Sequence, residues 1–341
     1  MSRETGPIVE RFLGTQNDCS YISDPRQNKE LGALLKGKNV VIAGAGRGIG
    51  RATAEFFAHT EAATLSLMAL ELPEINETAE ICKAINPKLA VKTAAFNVLD
   101  YQSVDRFIQD VIQELGKIDV LFVNAGRAPQ WLPTQESDPA VWWDTLAVSL
   151  QGAFHFTRAA LPHLRQHGGG RIIYTSSAAA QSAEGMGGYA IGKLGQVRLA
   201  EIVHNENKDR GIKAFAYHPG AIPTRFFHDF KDASEGKFRE NSYLSMDLPG
   251  EQKSAMAAVK ALEGATFSTP QMPAGLVTVL ASGQLDFMSG RYLDASVRIE
   301  DYMEDEQRIV DHDLHRVRLI ADKEKGLFIP EKAPRPQTEK K

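Results

Sequence analysis

Residues 39–50 read Asn-Val-Val-Ile-Ala-Gly-Ala-Gly-Arg-Gly-Ile-Gly, and this stretch decides the fold. The run Asn39–Ala43 is rich in β-branched and apolar residues and predicts a strand, while the helical period over Ile49–His59 predicts a helix. Glycines between a strand and a helix let the backbone turn sharply and approach an anion closely, and the amide groups at the helix N-terminus attract negative charge. The stretch therefore predicts a site for the pyrophosphate of a dinucleotide, with a plain glycine-rich turn as the alternative.

The alternation of strand and helix continues along the chain. Further apolar or β-branched runs predict strands at Thr64–Leu70, Ala90–Phe96, Val120–Val123, Arg171–Thr175 and Lys213–Tyr217. Segments of helical period lie between them, at Pro73–Ile85, Ser103–Leu115, Ala140–Arg165 and Tyr189–Lys208. Such alternation predicts an α/β fold, a Rossmann-like doubly wound parallel sheet with helices on both faces in three layers (α/β/α).

The two ends of the chain depart from this pattern. Residues 1–37 form an N-terminal extension. Because its residues before Lys36 mix polar residues with Gly and Pro and lack a sustained period, we expect it to lie on the surface or to stay partly disordered. Residues 38–298 form one domain, since no linker rich in Pro, Gly and Ser divides them. Residues 299–341 form a C-terminal helix and a charged tail.

The composition argues against several classes of partner. The net charge of −4 gives no electrostatic attraction to nucleic acid or to an anionic membrane, and no apolar run approaches the ~20 residues that cross a bilayer. Two cysteines, Cys19 and Cys82, cannot form a disulfide framework, so we expect a reducing, cytoplasmic setting. His312 and His315 lie among charged residues typical of a solvated face, and we expect no metal site.

A tyrosine and a lysine occupy one face of a predicted helix. Tyr189 and Lys193 stand at positions i and i+4. A lysine cation ~4 Å from a phenol, at an effective dielectric constant of ~20, favours the phenolate by ~4 kcal/mol, roughly three pKa units. This would bring the pKa of Tyr189 from ~10 to ~7, where general acid–base catalysis is efficient. Such spacing is also common on ordinary helix surfaces, and the preceding strand, which ends in Ser176 and Ser177, favours the catalytic interpretation.

The order of these motifs resembles the short-chain dehydrogenase/reductase family, including some fungal members with long C-terminal segments. The glycines follow the spacing Gly44-x-x-x-Gly48-x-Gly50, and Tyr189-x-x-x-Lys193 matches the family's catalytic pair. The resemblance runs from Asn39 to about Ala295 and implies a nicotinamide cofactor, with Tyr189 as acid/base and Lys193 lowering its pKa and holding the ribose.

The resemblance also assigns a serine and a water-holding position. Ser177 is the expected residue that orients the reacting carbonyl, although its spacing from Tyr189 is one residue short and leaves Ser176 as the alternative. The family places an asparagine in the long preceding helix, where it helps to hold a water that relays protons to the lysine. Ser149 stands at that position and puts the efficiency of the relay in doubt.

The remaining cofactor contacts follow from motifs at strand ends. Asn124-Ala125-Gly126 resembles the family's Asn-Asn-Ala-Gly, with Val123 in place of the first Asn. Asn97 resembles its adenine-contacting Asp, and His218-Pro219-Gly220-Ala221-Ile222-Pro223-Thr224 resembles the segment that contacts the carboxamide and places Thr224 at the nicotinamide. The predicted cofactor-binding set is thus Gly44, Arg47, Gly48, Ile49, Gly50, Asn97, Asn124, Ala125, Gly126, Tyr189, Lys193, Pro219, Gly220, Ile222 and Thr224.

The choice between NADP and NAD depends on charges at the adenosine ribose. Arg47, inside the glycine turn, can pair with a 2′-phosphate and favours NADP, whereas Glu71, just beyond the second strand, favours NAD. We expect NADP, with NAD as the alternative.

The substrate side of the predicted cleft is apolar. Residues 225–269 interrupt the motif-bearing core and resemble the family's mobile substrate lid. Together with Trp131 this segment supplies Phe226, Phe227, Phe230, Phe238, Tyr243, Leu244, Met246 and Leu248. Such walls suit a bulky, largely apolar secondary alcohol or ketone.

The expected function is therefore reversible hydride transfer, in a homodimer or homotetramer by resemblance. The alternatives are a cofactor-binding protein without redox turnover and non-redox chemistry on the same fold.

Overall fold

A computed structural model describes residues 20, 22–181, 184–238, 242, 244–248 and 250–318 of the chain. Its centre is a parallel sheet of seven strands in the order β3-β2-β1-β4-β5-β6-β7. The strands are β1 (Asn39–Ala43), β2 (Thr64–Ala69), β3 (Ala90–Ala95), β4 (Val120–Val123), β5 (Gly170–Thr175), β6 (Ile212–His218) and β7 (Tyr292–Asp294). The predicted doubly wound sheet is confirmed.

Helices connect the strands and cover both faces of the sheet. They are α1 (Lys29–Leu34), α2 (Gly48–Ala58), α3 (Leu72–Ile85), α4 (Tyr101–Leu115), α5 (Pro139–Gln166), α6 (Gly187–Asn207), α7 (Arg225–Ser234), α8 (Glu251–Ala261), α9 (Gln271–Ser282), α10 (Ile299–Glu304) and α11 (Glu306–Asp311). Within the described ranges, no helix is both long enough and apolar enough to cross a membrane.

Alternate residues of each central strand enter two separate cores. Ile42 of β1 packs with α1, α2, α3 and α9 on one face, whereas its neighbour Val41 packs with α4, α5 and α6 on the other. Every residue of β1, β2 and β4 is buried. This explains the continuous apolar runs in the sequence, because a strand covered on both faces has no solvent side to alternate with.

Two features at the ends of the domain differ from expectation. The extension was expected on the surface, but Leu31 and Leu35 are buried in the main core and α1 packs on α9. The sequence interpretation also missed β7, because three residues are too few to show a period. The backbone N–H of Tyr292 in β7 donates to the carbonyl of His315 over 2.8 Å, so the segment after α11 covers part of this edge.

The carboxyl ends of β1 and β4 form the crevice where ligands bind in this topology. The strand order reverses between these two neighbours, so the loops that follow them leave toward opposite faces of the sheet. The predicted glycine turn follows β1 and Asn124 follows β4.

Candidate active site

A cavity of about 450 Å³ opens at this crevice. It extends from the glycine turn, past Tyr189 and Lys193, to the aromatic residues of the segment after β6. All the predicted site residues line it except Gly50 and Ser149, which lie behind its wall. The structure thus brings together, on one cavity, motifs that are spread over residues 44–224.

The glycine turn has a shape that larger residues cannot take. Gly44 and Gly48 have φ angles of +88° and +55°, in the left-handed region that favours glycine. A Cβ at Gly50 would lie 1.9 Å from the carbonyl oxygen of Gly44, so the first turn of α2 rests directly on the loop. This bare backbone at the N-terminus of α2 fits a pyrophosphate.

Asn124 joins the strands that flank the crevice. Its Nδ2 donates to the carbonyl of Gly44 over 3.0 Å, and its Oδ1 accepts a bond from the hydroxyl of Thr175, also over 3.0 Å. Because one amide bridges the ends of β1 and β5 from β4, it fixes the spacing of the three strand ends that border the cavity. An asparagine supplies both the donor and the acceptor that this bridge needs.

The structure distinguishes Ser177 from Ser176, the two serines that the sequence offered as partners of Tyr189. Ser177 shares a hydrogen bond with the hydroxyl of Tyr189. The hydroxyl of Ser176 instead donates to the backbone carbonyl of Lys193 over 2.8 Å, and its side chain is buried. Ser177 therefore lies at the tyrosine, and Ser176 joins α6 to the end of β5.

Lys193 does not act on Tyr189 in the way that the helix spacing suggested. Its Nζ donates to the carbonyl of Thr175 over 2.6 Å and lies 5.4 Å from the centroid of the Tyr189 ring. Burial lowers the pKa of Lys193 to about 7, because the charged form loses its hydration.

Burial also raises the pKa of Tyr189 above its usual value, and the hydrogen bond with Ser177 opposes this. The expectation that Lys193 brings the pKa of Tyr189 near 7 is therefore wrong for the protein alone. Sequence spacing gives the distance along a helix and does not register desolvation of both groups.

The end of the cavity next to the carboxyl end of β2 contains a charge that the sequence interpretation missed. Arg47 lines this end, but its Nη1 donates to Oε1 of Glu74 on α3 over 2.8 Å. Arg225, the first residue of α7, donates to the same oxygen over 3.1 Å. Glu74 therefore joins the glycine turn to the segment that covers the cavity. Asn97 lines the same end, and its Oδ1 accepts a bond from the backbone N–H of Leu99 over 2.9 Å.

The loop after β6 borders the cavity and reaches the glycine turn. Pro219, Gly220, Ile222 and Thr224 all line the cavity, and the methyl group of Thr224 lies against Gly48 of the glycine turn. His218 precedes this loop, and its Nδ1 accepts a bond from the backbone N–H of Ala178 over 3.0 Å. This bond holds the residue next to Ser177 in place.

The segment 225–269 forms two helices, α7 and α8, with a small core of their own. Ala128 and Leu244 belong to this core, and Trp131 and Phe238 pack against it. Phe226, Phe227 and Phe230 line the cavity, and Met246 is 73% exposed. Tyr243 lies outside the described residues.

Two hydrogen bonds attach α8 to the loop after β4. The backbone N–H of Trp131 donates to Oγ of Ser254 over 2.7 Å, and the side chain of Gln130 donates to Glu251 over 2.7 Å. Trp131 also meets Phe230 edge to face. The aromatic wall of the cavity is thus positioned by polar contacts at its outer side.

Comparison with known proteins gives a consistent assignment. Residues 38–235 match the short chain dehydrogenase family. Short chain dehydrogenase mpl6 of Monascus purpureus is 31% identical over 288 residues, which cover 83% of this chain and 89% of that protein. Short chain dehydrogenase andI of Emericella variicolor is 27% identical over 313 residues, which cover 90% of this chain and 96% of that protein.

Solved structures share the fold at lower sequence identity. Carveol dehydrogenase from Mycobacterium avium, solved in complex with NAD, aligns with a TM-score of 0.66 at 23% identity, covering 77% of this chain and 98% of that one. The family match spans more than half of the chain and includes the glycine turn, Ser177, Tyr189 and Lys193. The chain is a member of the short-chain dehydrogenase/reductase family, an oxidoreductase family that uses NAD(P), and it resembles the fungal members.

Proposed function

We propose that the protein interconverts a secondary alcohol and a ketone, with Tyr189 as the acid/base. The observation that carries this proposal is the hydrogen bond between Ser177 and Tyr189 on a cavity that also contains the glycine turn. A nicotinamide cofactor supplies the chemistry of accepting or donating a hydride, and the glycine turn, Asn124 and Thr224 offer the surface that would hold it.

Each side chain at the tyrosine has a distinct task in this proposal. In the oxidation direction the C–H bond of the carbinol breaks and a bound nicotinamide would accept the hydride. The hydroxyl proton passes to the phenolate of Tyr189, and the C–O single bond becomes a C=O bond. In reduction, Tyr189 returns the proton to the carbonyl oxygen. Ser177 donates a hydrogen bond that orients the same oxygen, and Lys193 would hold the ribose of the cofactor. A bound nicotinamide cation would favour the phenolate and oppose the effect of burial on Tyr189.

For the cofactor we propose NADP over NAD. The support is Arg47 at the adenosine end of the cavity, together with Arg225, which contacts the same carboxylate. Glu74 is the opposing feature, because its carboxylate already binds Arg47 and would repel a 2′-phosphate. Glu71, the acid that favours NAD, also lines the cavity. The preference therefore depends on these four side chains and is open to a direct binding comparison.

For the substrate we propose a bulky, largely apolar molecule. Trp131, Phe226, Phe227 and Phe267 supply aromatic wall to the cavity. Asp144, paired with Arg127, adds a carboxylate to that wall, and a substrate hydroxyl could donate to it.

We also propose that the protein assembles as a homodimer or homotetramer. The helices α5 and α6 pack against each other, and both expose large apolar side chains: Trp143, Phe154, Ile191, Leu194 and Ile202. Such a surface suits association with a second copy. Light scattering of the purified protein, compared with the Phe154→Glu variant, would measure the mass of the assembly directly.

The test of the reaction is a panel of alcohols and ketones with both cofactors, followed by the absorbance of the reduced nicotinamide. Tyr189→Phe should lower turnover by ~10²-fold or more, since the acid/base is lost, while cofactor binding survives. Tyr101→Phe, outside the cavity, is the matched control and should leave turnover unchanged. Turnover in Tyr189→Phe above a few per cent of the parent would contradict the assigned role.

A further inference from the structure

Two buried polar atoms at the contact between α5 and α6 have no hydrogen-bond partner among the described residues. They are Oγ of Ser149 and Oε1 of Gln196, and both residues are fully buried. The other end of the Gln196 amide, Nε2, donates to the backbone carbonyl of Ser149 over 2.7 Å. This bond also fixes the amide orientation, because a carbonyl oxygen cannot donate to another carbonyl. The two unpartnered atoms therefore belong to two residues that are joined by a hydrogen bond.

Leaving both atoms unsatisfied would be costly. Each buried polar group without a partner destabilises the fold by ~1–3 kcal/mol. Buried polar groups in native proteins are paired with protein atoms or with ordered water, and such a water typically has two to four polar partners. A single water that donates to Oε1 of Gln196 and bonds the hydroxyl of Ser149 would satisfy both.

The position of this pair relates it to the catalytic helix. Gln196 follows Lys193 by one turn on α6, and Ser149 lies against Gly192, where an added Cβ would be only 3.0 Å from the Cβ of Ser149. Nζ of Lys193 donates to Thr175, which leaves further ammonium hydrogens for other acceptors. A water at this contact would lie next to the turn that carries Lys193.

We propose that Gln196 is a positioning residue that, with Ser149, holds an internal water beside Lys193. An asparagine at position 149 would hold the water with a side-chain amide on α5. Here the side-chain amide of Gln196 takes this part from α6, on the other side of the same helix contact. This inference rests on the proposed function for its kinetic consequence, but the water site itself does not depend on turnover.

Three variants test the proposal by kinetics. Gln196→Leu should lower kcat about tenfold, less than the ~10²–10⁴ expected from loss of an acid/base group. It should increase the solvent deuterium isotope effect on kcat and leave cofactor affinity within twofold. Gln196→Ala makes room at the contact for a larger side chain at position 149. Adding Ser149→Asn to this variant should restore turnover to within about threefold of the parent protein, because the asparagine supplies a side-chain amide from α5.

Asn207→Leu is the matched control. Asn207 is also a buried amide on α6, its Nδ2 donates to the backbone carbonyl of Val203, and its Oδ1 has no partner among the described residues. It lies near the far end of the helix from Lys193. Its loss should lower the melting temperature without changing kcat or the isotope effect. If Gln196→Leu behaves in the same way, Gln196 is structural and the proposal is overturned.

A crystal structure separates failure of this proposal from failure of the proposed function. We expect a water within 3.5 Å of both Oγ of Ser149 and Oε1 of Gln196, the usual limit for a hydrogen bond. If no alcohol or ketone is turned over, the proposed function fails. The water site is then still tested by the electron density, which does not depend on activity. Density that shows direct contact of the two side chains without a water would overturn it.

Discussion

The ammonium group of Lys193 donates to the backbone carbonyl of Thr175 over 2.6 Å, from a side chain that is only 3% exposed. The lysine is thus held by the end of β5, and its burial lowers its pKa to about 7. A charge kept out of water in this way lowers the stability of the folded state, a trade-off that is common at functional sites.

Lys193→Met should therefore increase stability while it abolishes turnover. Below pH 7 the folded protein must keep a buried charge, and each unit of pKa depression corresponds to ~1.4 kcal/mol. The fall in pKa from 10.5 to about 7 then corresponds to ~5 kcal/mol. The lost bond to Thr175 offsets ~1–3 kcal/mol of this, so we expect a net gain of ~2–4 kcal/mol in the free energy of unfolding at pH 6.5.

The pH dependence of the stability difference between the parent and Lys193→Met is the control for this prediction. Between pH 7 and pH 10.5 the unfolded chain binds the lysine proton more tightly than the folded protein, so the stability of the parent rises with pH through this window. The variant lacks this contribution, and the difference between the two proteins should shrink from pH 6.5 to pH 9.5 in denaturant titrations. A difference that stays constant over this range would contradict burial of a charged lysine.

The two adjacent serines should separate into a kinetic and a structural effect. Ser177→Ala removes the hydroxyl beside Tyr189 and should lower kcat by ~10²-fold, as for other single donors at a reacting oxygen. Ser176→Ala removes the bond to the carbonyl of Lys193 and should cost ~0.5–1.5 kcal/mol of stability with a much smaller change in kcat. Steady-state kinetics and thermal unfolding of both variants measure this, and a reversed pattern would move the role to Ser176.

Cofactor preference should respond in opposite directions to the two partners of one ion pair. Arg47→Ala should weaken NADP binding by ~1.5–3 kcal/mol and leave NAD nearly unchanged. Glu74→Gln removes the carboxylate that occupies Arg47 and should tighten NADP binding several-fold, again without effect on NAD.

Titration calorimetry with both cofactors checks this pair of variants. Glu77→Gln is the control, because Glu77 lies one turn along α3 and pairs with Arg51 instead. Equal changes for NADP and NAD in either variant would mean that the Arg47–Glu74 pair only maintains the structure.

Ser254 should control substrate affinity from outside the cavity. Its hydroxyl accepts the bond from the backbone N–H of Trp131, which lines the aromatic wall. Ser254→Ala should loosen this wall and raise KM several-fold with little change in kcat, since the reacting groups are untouched. Ser234→Ala, at the exposed end of α7, should change neither constant. A fall in kcat at constant KM would mean that Ser254 acts on the chemistry.

The sequence by itself determined the features that depend on neighbours along the chain. The glycine turn was recognisable because the φ angles at Gly44 and Gly48 admit little else, and β1, β2 and β4 because residues covered on both faces form continuous apolar runs. The pairing of Tyr189 with Lys193 on one helix follows from the helical repeat alone.

Only the tertiary structure decided what depends on distances between elements and on exclusion of water. The sequence favoured Ser177 and left Ser176 as the alternative. The two differ in the structure because consecutive residues after a strand point in different directions, one toward Tyr189 and one toward the backbone of α6. Glu74 and Gln196 carried no local signal, since their partners Arg47 and Ser149 lie on other elements. The lowered pKa of Lys193 could not be predicted from the sequence for the same reason. Desolvation depends on all the atoms packed around a group, and the spacing of residues along one helix gives no information about them.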